Sequence, residues 1–235
     1  MSAQGPADGA AESATESASG ALQRIAQELG LAIDEGQGRA LLRHLELLER
    51  WNQTYNLTAV RDPAAMCVQH LADCLAAVPP LRRWLDARPP HAPPARLLDV
   101  GSGGGLPGVP FAVMLPSVQV TCVDAVAKKV AFLRQAAGEL RLANLHPVHG
   151  RVEALRLPAF DVVSSRAFAS LADFVRWTGA LRAPQGVWMA MKGRRPDDEI
   201  AALPAGIAMF HVEPLAVPGL DAERCVVWMR PKVDG

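Results

Sequence analysis

Arg96-Leu97-Leu98-Asp99-Val100-Gly101-Ser102-Gly103-Gly104-Gly105 is the stretch from which the fold is read. A short apolar run with an acid near its end breaks into glycines, and a second apolar run, Val118 to Val123, ends in Asp124. The order predicts a strand, a glycine turn, a helix, and a second strand closed by a carboxylate. In a βαβ unit of this kind the glycines bring backbone N–H groups close to a ligand, and the acid accepts hydrogen bonds from a ribose. The chain is therefore expected to bind an adenosine-containing cofactor. The plain alternative, a tight turn with no ligand, does not account for three strand-end features coinciding.

Two glycine patterns overlap here. Gly103, Gly105 and Gly108 satisfy G-x-G-x-x-G with Asp124 about 20 residues on, as a nicotinamide-binding turn requires. Gly101, Gly103 and Gly105 form G-x-G-x-G two residues after Asp99, which resembles motif I of class I S-adenosylmethionine methyltransferases. A pyrophosphate needs a helix N-terminus directly after the glycines, whereas Leu106-Pro107-Gly108-Val109-Pro110 puts two prolines there. A sulfonium cofactor carries no phosphate and needs only close backbone approach and room for an amino acid tail. The second pattern is preferred.

Composition narrows the class. A chain of 235 residues, 50% hydrophobic, can build one sizeable domain, and its apolar runs fall short of the ~20 residues of a membrane span. Met1 to Gly20 is rich in Ala, Ser, Gly and Glu and lacks Lys and Arg. It is expected as a disordered tail rather than a signal or transit peptide. Cys67, Cys74, Cys122 and Cys225 lack zinc spacing and are expected as buried, reduced thiols in a cytoplasmic protein. No metal is expected. Formal charge is zero, and setting aside the tail acids Asp8, Glu12 and Glu16 leaves the rest near +3. The clusters Lys128-Lys129, Lys192-Gly193-Arg194-Arg195 and Arg230-Pro231-Lys232 would serve an RNA face equally as a solvated surface.

Four parts are expected along the chain: the tail 1–20, an N-terminal helical region 21–88, a Pro-rich linker 89–95 and a Rossmann-like domain 96–235. Leu22, Ile25, Ala26 and Leu29 follow helical spacing and stop at Gly30; Leu41, Leu45 and Leu48 mark a second helix. Asp62-Pro63 reads as a helix start, the helix carrying Cys67, Leu71, Cys74 and Val78, with Pro79-Pro80 leading into the linker. Strands are predicted at Arg96–Val100, Val118–Val123, Leu145–Val148, Phe160–Ser164 and Gly186–Met191, then Ile207–Val212 and Arg224–Met229 as a closing pair. Alternation with helices such as the one carrying Val130, Leu133, Ala137 and Leu140 implies an α/β fold with a mostly parallel sheet. Seven strands with a terminal hairpin look like the fold of class I S-adenosylmethionine-dependent methyltransferases, a Rossmann-like sheet, here expected with an N-terminal helical extension. Its ligand belongs at the carboxyl ends of the strands.

A closer resemblance rests on several segments in order. Trp51-Asn52-Gln53-Thr54-Tyr55-Asn56-Leu57-Thr58-Ala59-Val60-Arg61-Asp62, Gly105-Leu106-Pro107-Gly108-Val109-Pro110, Arg151-Val152-Glu153, Ser165-Arg166-Ala167-Phe168-Ala169 and Met191-Lys192-Gly193 are similar to the RsmG (GidB) family. The resemblance covers nearly everything after Leu22, and it departs from the family's pattern in the acidic tail and in Gly104, where proline is usual. It implies methylation of N7 of one guanine in the decoding-region loop of 16S ribosomal RNA. The methyl donor the resemblance implies is S-adenosyl-L-methionine, and the implied partner is small-subunit ribosomal RNA in a ribosomal particle; the protein is expected to be a monomer.

On their own chemistry, Gly101 and Gly103 would admit the methionine moiety, with turn geometry alone as their ordinary role. Leu106 would supply an apolar wall, Asp124 would accept ribose hydroxyls, and Val152 and Glu153 would meet the adenine, where a helix-starting Glu is the plain reading. Arg166, after the fourth strand, is expected both to border the cofactor and to position the substrate by donating to guanine O6 or holding a phosphate. The chain has Ser164-Ser165-Arg166 where amino-group methyltransferases carry an acid or amide with prolines, and it lacks a Pro-Cys pair. Both absences favour N7, which presents a lone pair and reacts by in-line displacement without deprotonation. Arg151 and Lys192 are candidate RNA contacts, with surface charge as an even alternative. Phe168 reads as a core aromatic or a base-stacking platform, and His70 with Asp73 shares a helix face. The alternatives are a small-molecule methyltransferase, an NAD-dependent oxidoreductase and, more remotely, a non-catalytic RNA-binding module.

Overall fold

The computed structural model describes residues 7–60 and 66–232. Helix α1 spans Ala7–Glu28. The stretch expected as a disordered tail is thus helical from Ala7 onward, because its Ala and Glu content favours helix. Gly30, at φ +62, ends α1. The Leu31 N–H reaches the Ala26 carbonyl at 2.8 Å and that of Gly30 reaches Gln27 at 3.1 Å, a Schellman closure. Helix α2, Glu35–Tyr55, starts at a capping box: Asp34 accepts from the Gln37 N–H, and the Gln37 side chain accepts from the Asp34 N–H. Its buried side carries Leu41, His44, Leu45 and Leu48.

The expected helix start at Asp62-Pro63 lies outside the described residues. A π-helical segment, Cys67–Ala72, runs into α3, Asp73–Ala76. Pro79 and Pro80, expected to lead into the linker, instead sit in the first turn of α4, Val78–Asp86. Proline is tolerated there because the first turn's N–H groups have no intrahelical acceptor.

The chain then alternates: β1 Arg96–Val100, α5 Gly108–Met114, β2 Gln119–Asp124, α6 Ala127–Glu139, β3 Leu145–His149 and β4 Phe160–Arg166. It continues with α7 Leu171–Thr178, β5 Arg182–Lys192, α8 Asp197–Ala201, β6 Ile207–Pro214 and β7 Cys225–Pro231. The seven strands form one sheet in the order β3-β2-β1-β4-β5-β7-β6. Neighbours are parallel except around β7, which is antiparallel to both β5 and β6. The order reverses beside β1, where β4 rather than β2 takes the next place. A crevice opens at such a switch point, outside the carboxyl ends of the strands.

Period-two alternation divides the core between the faces. Leu97, Val120, Cys122, Val162 and Met189 join α5, α6 and the N-terminal helices in one apolar cluster. Leu98, Val100, Val123, Val163 and Trp188 join α7 in the other. The N-terminal helices therefore share the core of the sheet. Asn144 stitches the far side of this face, donating to the carbonyls of Ala112 and Val118 at 3.0 Å each. Among the described residues no helix is long and apolar enough to cross a membrane.

Candidate active site

The turn after β1 is built by glycines in the left-handed region: Gly101 at φ +70, Gly103 at +55 and Gly105 at +78. The amides of Gly101 and Ser102 both donate to the Val123 carbonyl, at 2.9 and 3.1 Å, so the turn hangs on β2 as well as β1. Two of these glycines are also crowded. A Cβ on Gly101 would lie 2.6 Å from Phe168 Cδ2, and one on Gly105 would lie 2.5 Å from Val109 Cγ2. Gly103 differs, since a Cβ there would meet nothing nearer than the Gly101 carbonyl oxygen at 3.8 Å. Its side of the turn is open.

Two carboxylates brace the turn. Asp99, fully buried, accepts from the Gly108 N–H at 3.1 Å through Oδ2, while its Oδ1 is buried with no hydrogen-bond partner among the described residues. Burial pushes this carboxyl up to about 6, against the nearby Ser102 hydroxyl and the Gly108 amide, which favour the anion; the hydroxyl itself donates to the Asp99 main-chain carbonyl at 2.9 Å. Asp124 accepts from the Gly103 N–H at 3.0 Å and from the Val126 N–H at 2.8 Å, one bond to each oxygen. Lys129 Nζ stands 3.9 Å away. A third support comes from α2, whose buried His44 places Nε2 2.8 Å from the Gly104 carbonyl. That carbonyl can only accept, so Nε2 carries the proton. Nδ1 is then a lone pair in a buried setting with no partner among the described residues, beside the Phe132 ring. Desolvation lowers His44 to about 4.

A cleft of about 190 Å³ opens beside this turn, lined by Gly101, Asp124, Arg151, Val152, Glu153 and Phe168 with Trp177 among others. Phe168 is held edge-on by Phe174 and Trp177, at centroid distances of 6.4 and 5.8 Å. A second cavity, about 430 Å³, lies on the opposite face of the β4 end and is lined by Arg166, Lys192, Arg224, Asp73 and His70 among others. Ala167 joins the two. It adopts φ +49, an unusual conformation for a residue with a Cβ, and it turns the chain so that Arg166 borders the cavity and Phe168 the cleft.

The arginine cavity is electrostatically organised. Asp73, 5% exposed in its side chain, receives Arg166 Nη1 on Oδ2 at 3.0 Å and Arg224 Nε on Oδ1 at 3.1 Å. Lys192 Nζ is held by both Glu199 oxygens, at 3.0 and 2.8 Å, and by the Ala169 carbonyl at 2.9 Å. Glu199 also accepts from the Leu171 N–H at the start of α7. His70 Nε2 lies 2.6 Å from Thr58 Oγ1, which accepts from the Val60 N–H in a loop that Asn52 ties to Thr58 and Val60. The loop tied by Asn52 thus holds Thr58 against His70.

The residues expected around the cofactor fall into two groups. Gly101, Asp124, Val152 and Glu153 share the cleft, and Gly103 donates to Asp124 beside it. Leu106 is buried in the core behind the turn. Arg166 lines the second cavity rather than the cleft. Arg151 has a side chain 79% exposed at the cleft rim, whereas Lys192 is turned inward onto Glu199. Reaching a phosphate would take Lys192 off a carboxylate it already neutralises. Arg224, read from sequence as the first residue of a strand, and Trp177 were missed as site residues. So was His44, although a histidine in an otherwise leucine stripe, Leu41, Leu45 and Leu48, is a visible anomaly. The four cysteines are free and buried, and burial pushes each thiol up, away from a nucleophilic thiolate.

A sheet in this order, a glycine turn after its first strand and an acid closing its second define the class I methyltransferase fold. A SAM dependent methyltransferase from Aquifex aeolicus superimposes with a TM-score of 0.52 over 79% of this chain and 97% of that one, at 14% identity, a likeness of fold. Residues 37–227 match the family model of rRNA small subunit methyltransferase G (GidB), and the chain belongs to that family. It is 61% identical over 214 residues to a ribosomal RNA small subunit methyltransferase G of Acidovorax sp. (strain JS42), spanning 90% of this chain and 94% of that one. The protein of the same name from Paracidovorax citrulli is 59% identical over 220 residues, spanning 91% and 90%.

Proposed function

We propose that this chain transfers a methyl group from S-adenosyl-L-methionine to N7 of one guanine in the decoding-region loop of small-subunit ribosomal RNA. The observation that carries the reading is the pair of chambers on either side of Ala167: an acid- and aromatic-lined cleft at the glycine turn, and an arginine-walled cavity across the same strand end.

The lining of the cleft supports the cofactor part of this reading. Gly103 leaves open the side of the turn that a Cβ would otherwise fill. Each Asp124 oxygen takes one backbone N–H, and a carboxylate offers about four acceptor sites, so both oxygens keep a lone pair for ribose hydroxyls. Val152 supplies an apolar wall and Glu153 an acceptor for an exocyclic amine. The orphaned Asp99 oxygen, buried behind the turn, is an acceptor of the kind an amino acid's ammonium group satisfies. When bound, S-adenosylmethionine supplies an electrophilic methyl on a sulfonium.

Guanine N7 carries its own lone pair and needs no thiolate, which matches a cavity whose lining cysteine, Cys225, has its thiol pushed up by burial. Arg166 would donate to O6; donation to N7 would occupy the reacting lone pair. Catalysis then rests on positioning, which lowers barriers by roughly 7–11 kcal/mol in well-aligned cases. The dinucleotide reading is disfavoured because the first amide of α5 is already taken by Asp99, so a pyrophosphate would meet a buried carboxyl group there. The exposed Arg151 at the cleft rim favours a polyanionic substrate over a small molecule.

The test is methyl transfer from labelled S-adenosylmethionine to undermethylated small ribosomal subunits and to protein-free rRNA, with the product base mapped. Label at N7 of one guanine is expected, and the comparison reports whether a ribosomal particle is the substrate. Cofactor binding by calorimetry with no transfer to either RNA would overturn the rRNA assignment.

A further inference from the structure

We infer that Asp73 is a positioning residue of the methyl-transfer reaction, fixing Arg166 and Arg224 as a two-guanidinium wall that faces the base. The inference rests on the rRNA reading above and adds a residue and a specificity device to it.

Three parts of the chain meet at one carboxylate. Asp73 opens α3, Arg166 ends β4, and Arg224 immediately precedes β7. Asp73 takes one arginine on each oxygen, at 3.0 and 3.1 Å, and its side chain is 5% exposed. The arginine side chains keep 20% and 28% of their surface, on the wall of the cavity. A guanidinium has five N–H donors in a rigid plane. Arg166 gives Nη1 to Asp73, Arg224 gives Nε to Asp73 and Nη1 to the Glu223 carbonyl, and the carboxylate holds both planes in place. Two arginines and one acid leave a net positive wall, so it attracts an acceptor-rich edge or a phosphate.

Guanine presents two acceptors, O6 and N7, on one edge, and arginine pairs with that edge readily. In this reaction N7 must stay bare, so an arginine free to rotate is a liability because it would engage both acceptors. A guanidinium pinned from behind can be aimed at O6 or at the flanking phosphate alone. Asp73 is thus placed to affect turnover more than ground-state affinity. It lines the arginine cavity and is absent from the cofactor cleft, so the two binding events are separable.

The variant is Asp73→Asn, which keeps the shape and offers a single acceptor oxygen. Methyl transfer to undermethylated subunits is expected to fall tenfold or more in kcat, with a change in KM below threefold and cofactor Kd within twofold by calorimetry. Combining Asp73→Asn with Arg224→Lys is expected to cost no more than the worse single change, because the two act as a unit. Turnover within twofold of the parent overturns the proposal, as does a loss confined to KM or to cofactor affinity. Should Asp73→Asn fail to fold, arginine Nε–H signals of the parent protein decide: slowly rotating guanidinium groups at both Arg166 and Arg224 are expected, and rapid averaging at both overturns it. If the parent itself binds cofactor but methylates neither RNA, it is the rRNA assignment that fails, and the signals still report on Asp73.

Discussion

Replacing His44 with Gln is expected to flatten the acid limb of the stability curve. Gln carries an Nε2 donor that reaches the Gly104 carbonyl as the imidazole does, and it does not titrate. In the folded protein His44 titrates near 4, because a second ring N–H would be buried without an acceptor. In the unfolded chain it titrates near 6.5, so the unfolded state binds more protons between these values. His44 therefore contributes stability that is present above about 6.5 and lost as pH falls towards 4. At roughly 1.36 kcal/mol per pH unit, the loss between about pH 7.5 and about pH 5 is ~2 kcal/mol. With a urea m-value of about 2–3 kcal/mol/M, that is a midpoint shift of roughly 0.7–1 M. Asp99 works in the opposite direction. Raised to about 6, it contributes stability that is full below about 3.8 and lost as pH rises through 6, so it masks part of the histidine's effect in the parent. It is common to both proteins, which is why the difference between their curves is the quantity to read. Urea unfolding of parent and His44→Gln at the two pH values provides it. Curves that fall in parallel, within about 0.5 kcal/mol, would refute the picture of a buried neutral imidazole donating to the glycine turn.

Gly101→Ala adds a Cβ 2.6 Å from Phe168 at φ +70; a stability loss of about 1–3 kcal/mol by urea unfolding and a weakening of cofactor binding by tenfold or more are expected. Asn144→Ala removes donors from the buried carbonyls of Ala112 and Val118 and should cost about 1–3 kcal/mol in the same assay, with little change in cofactor Kd. Arg151→Ala, at an exposed rim position, should weaken binding to small-subunit RNA and reduce its log–log salt slope by roughly 0.7–0.9. An unchanged slope would place Arg151 outside the RNA footprint.

The sequence was most readable where local rules act. Arg96 to Val100 appears as β1 to the residue, and the other strand predictions lie within a few residues of the observed ones, because alternation and glycine punctuation are local signals. The extension of β5 back to Arg182 was not legible, since it depends on an irregular register between Phe160 and Val162 opposite it. The glycine turn and Asp124 could be read because spacing alone brings them together. The Asp73–Arg166–Arg224 cluster could not, since it closes loops of 93 and 151 residues and no periodicity links its members. His70 and Asp73 were legible as a helix pair, but the structure turns Asp73 to the arginines and His70 to Thr58. Lys192 was legible only as one member of a cationic run, which reads as surface, whereas Glu199, seven residues on, draws it inward.

Two contacts from α2 reach into the glycine turn: His44 holds the Gly104 carbonyl, and Leu48 lies where a Cβ on Gly104 would stand, 2.6 Å away. The turn is therefore not a portable cassette. A graft of residues 96–232 onto another scaffold would carry the glycines but leave behind the helix that gives them their shape, along with the carboxylate that aims the arginines. Recombination and engineering alike have to cut elsewhere, and the smallest transplantable piece includes α2 and the segment through α4.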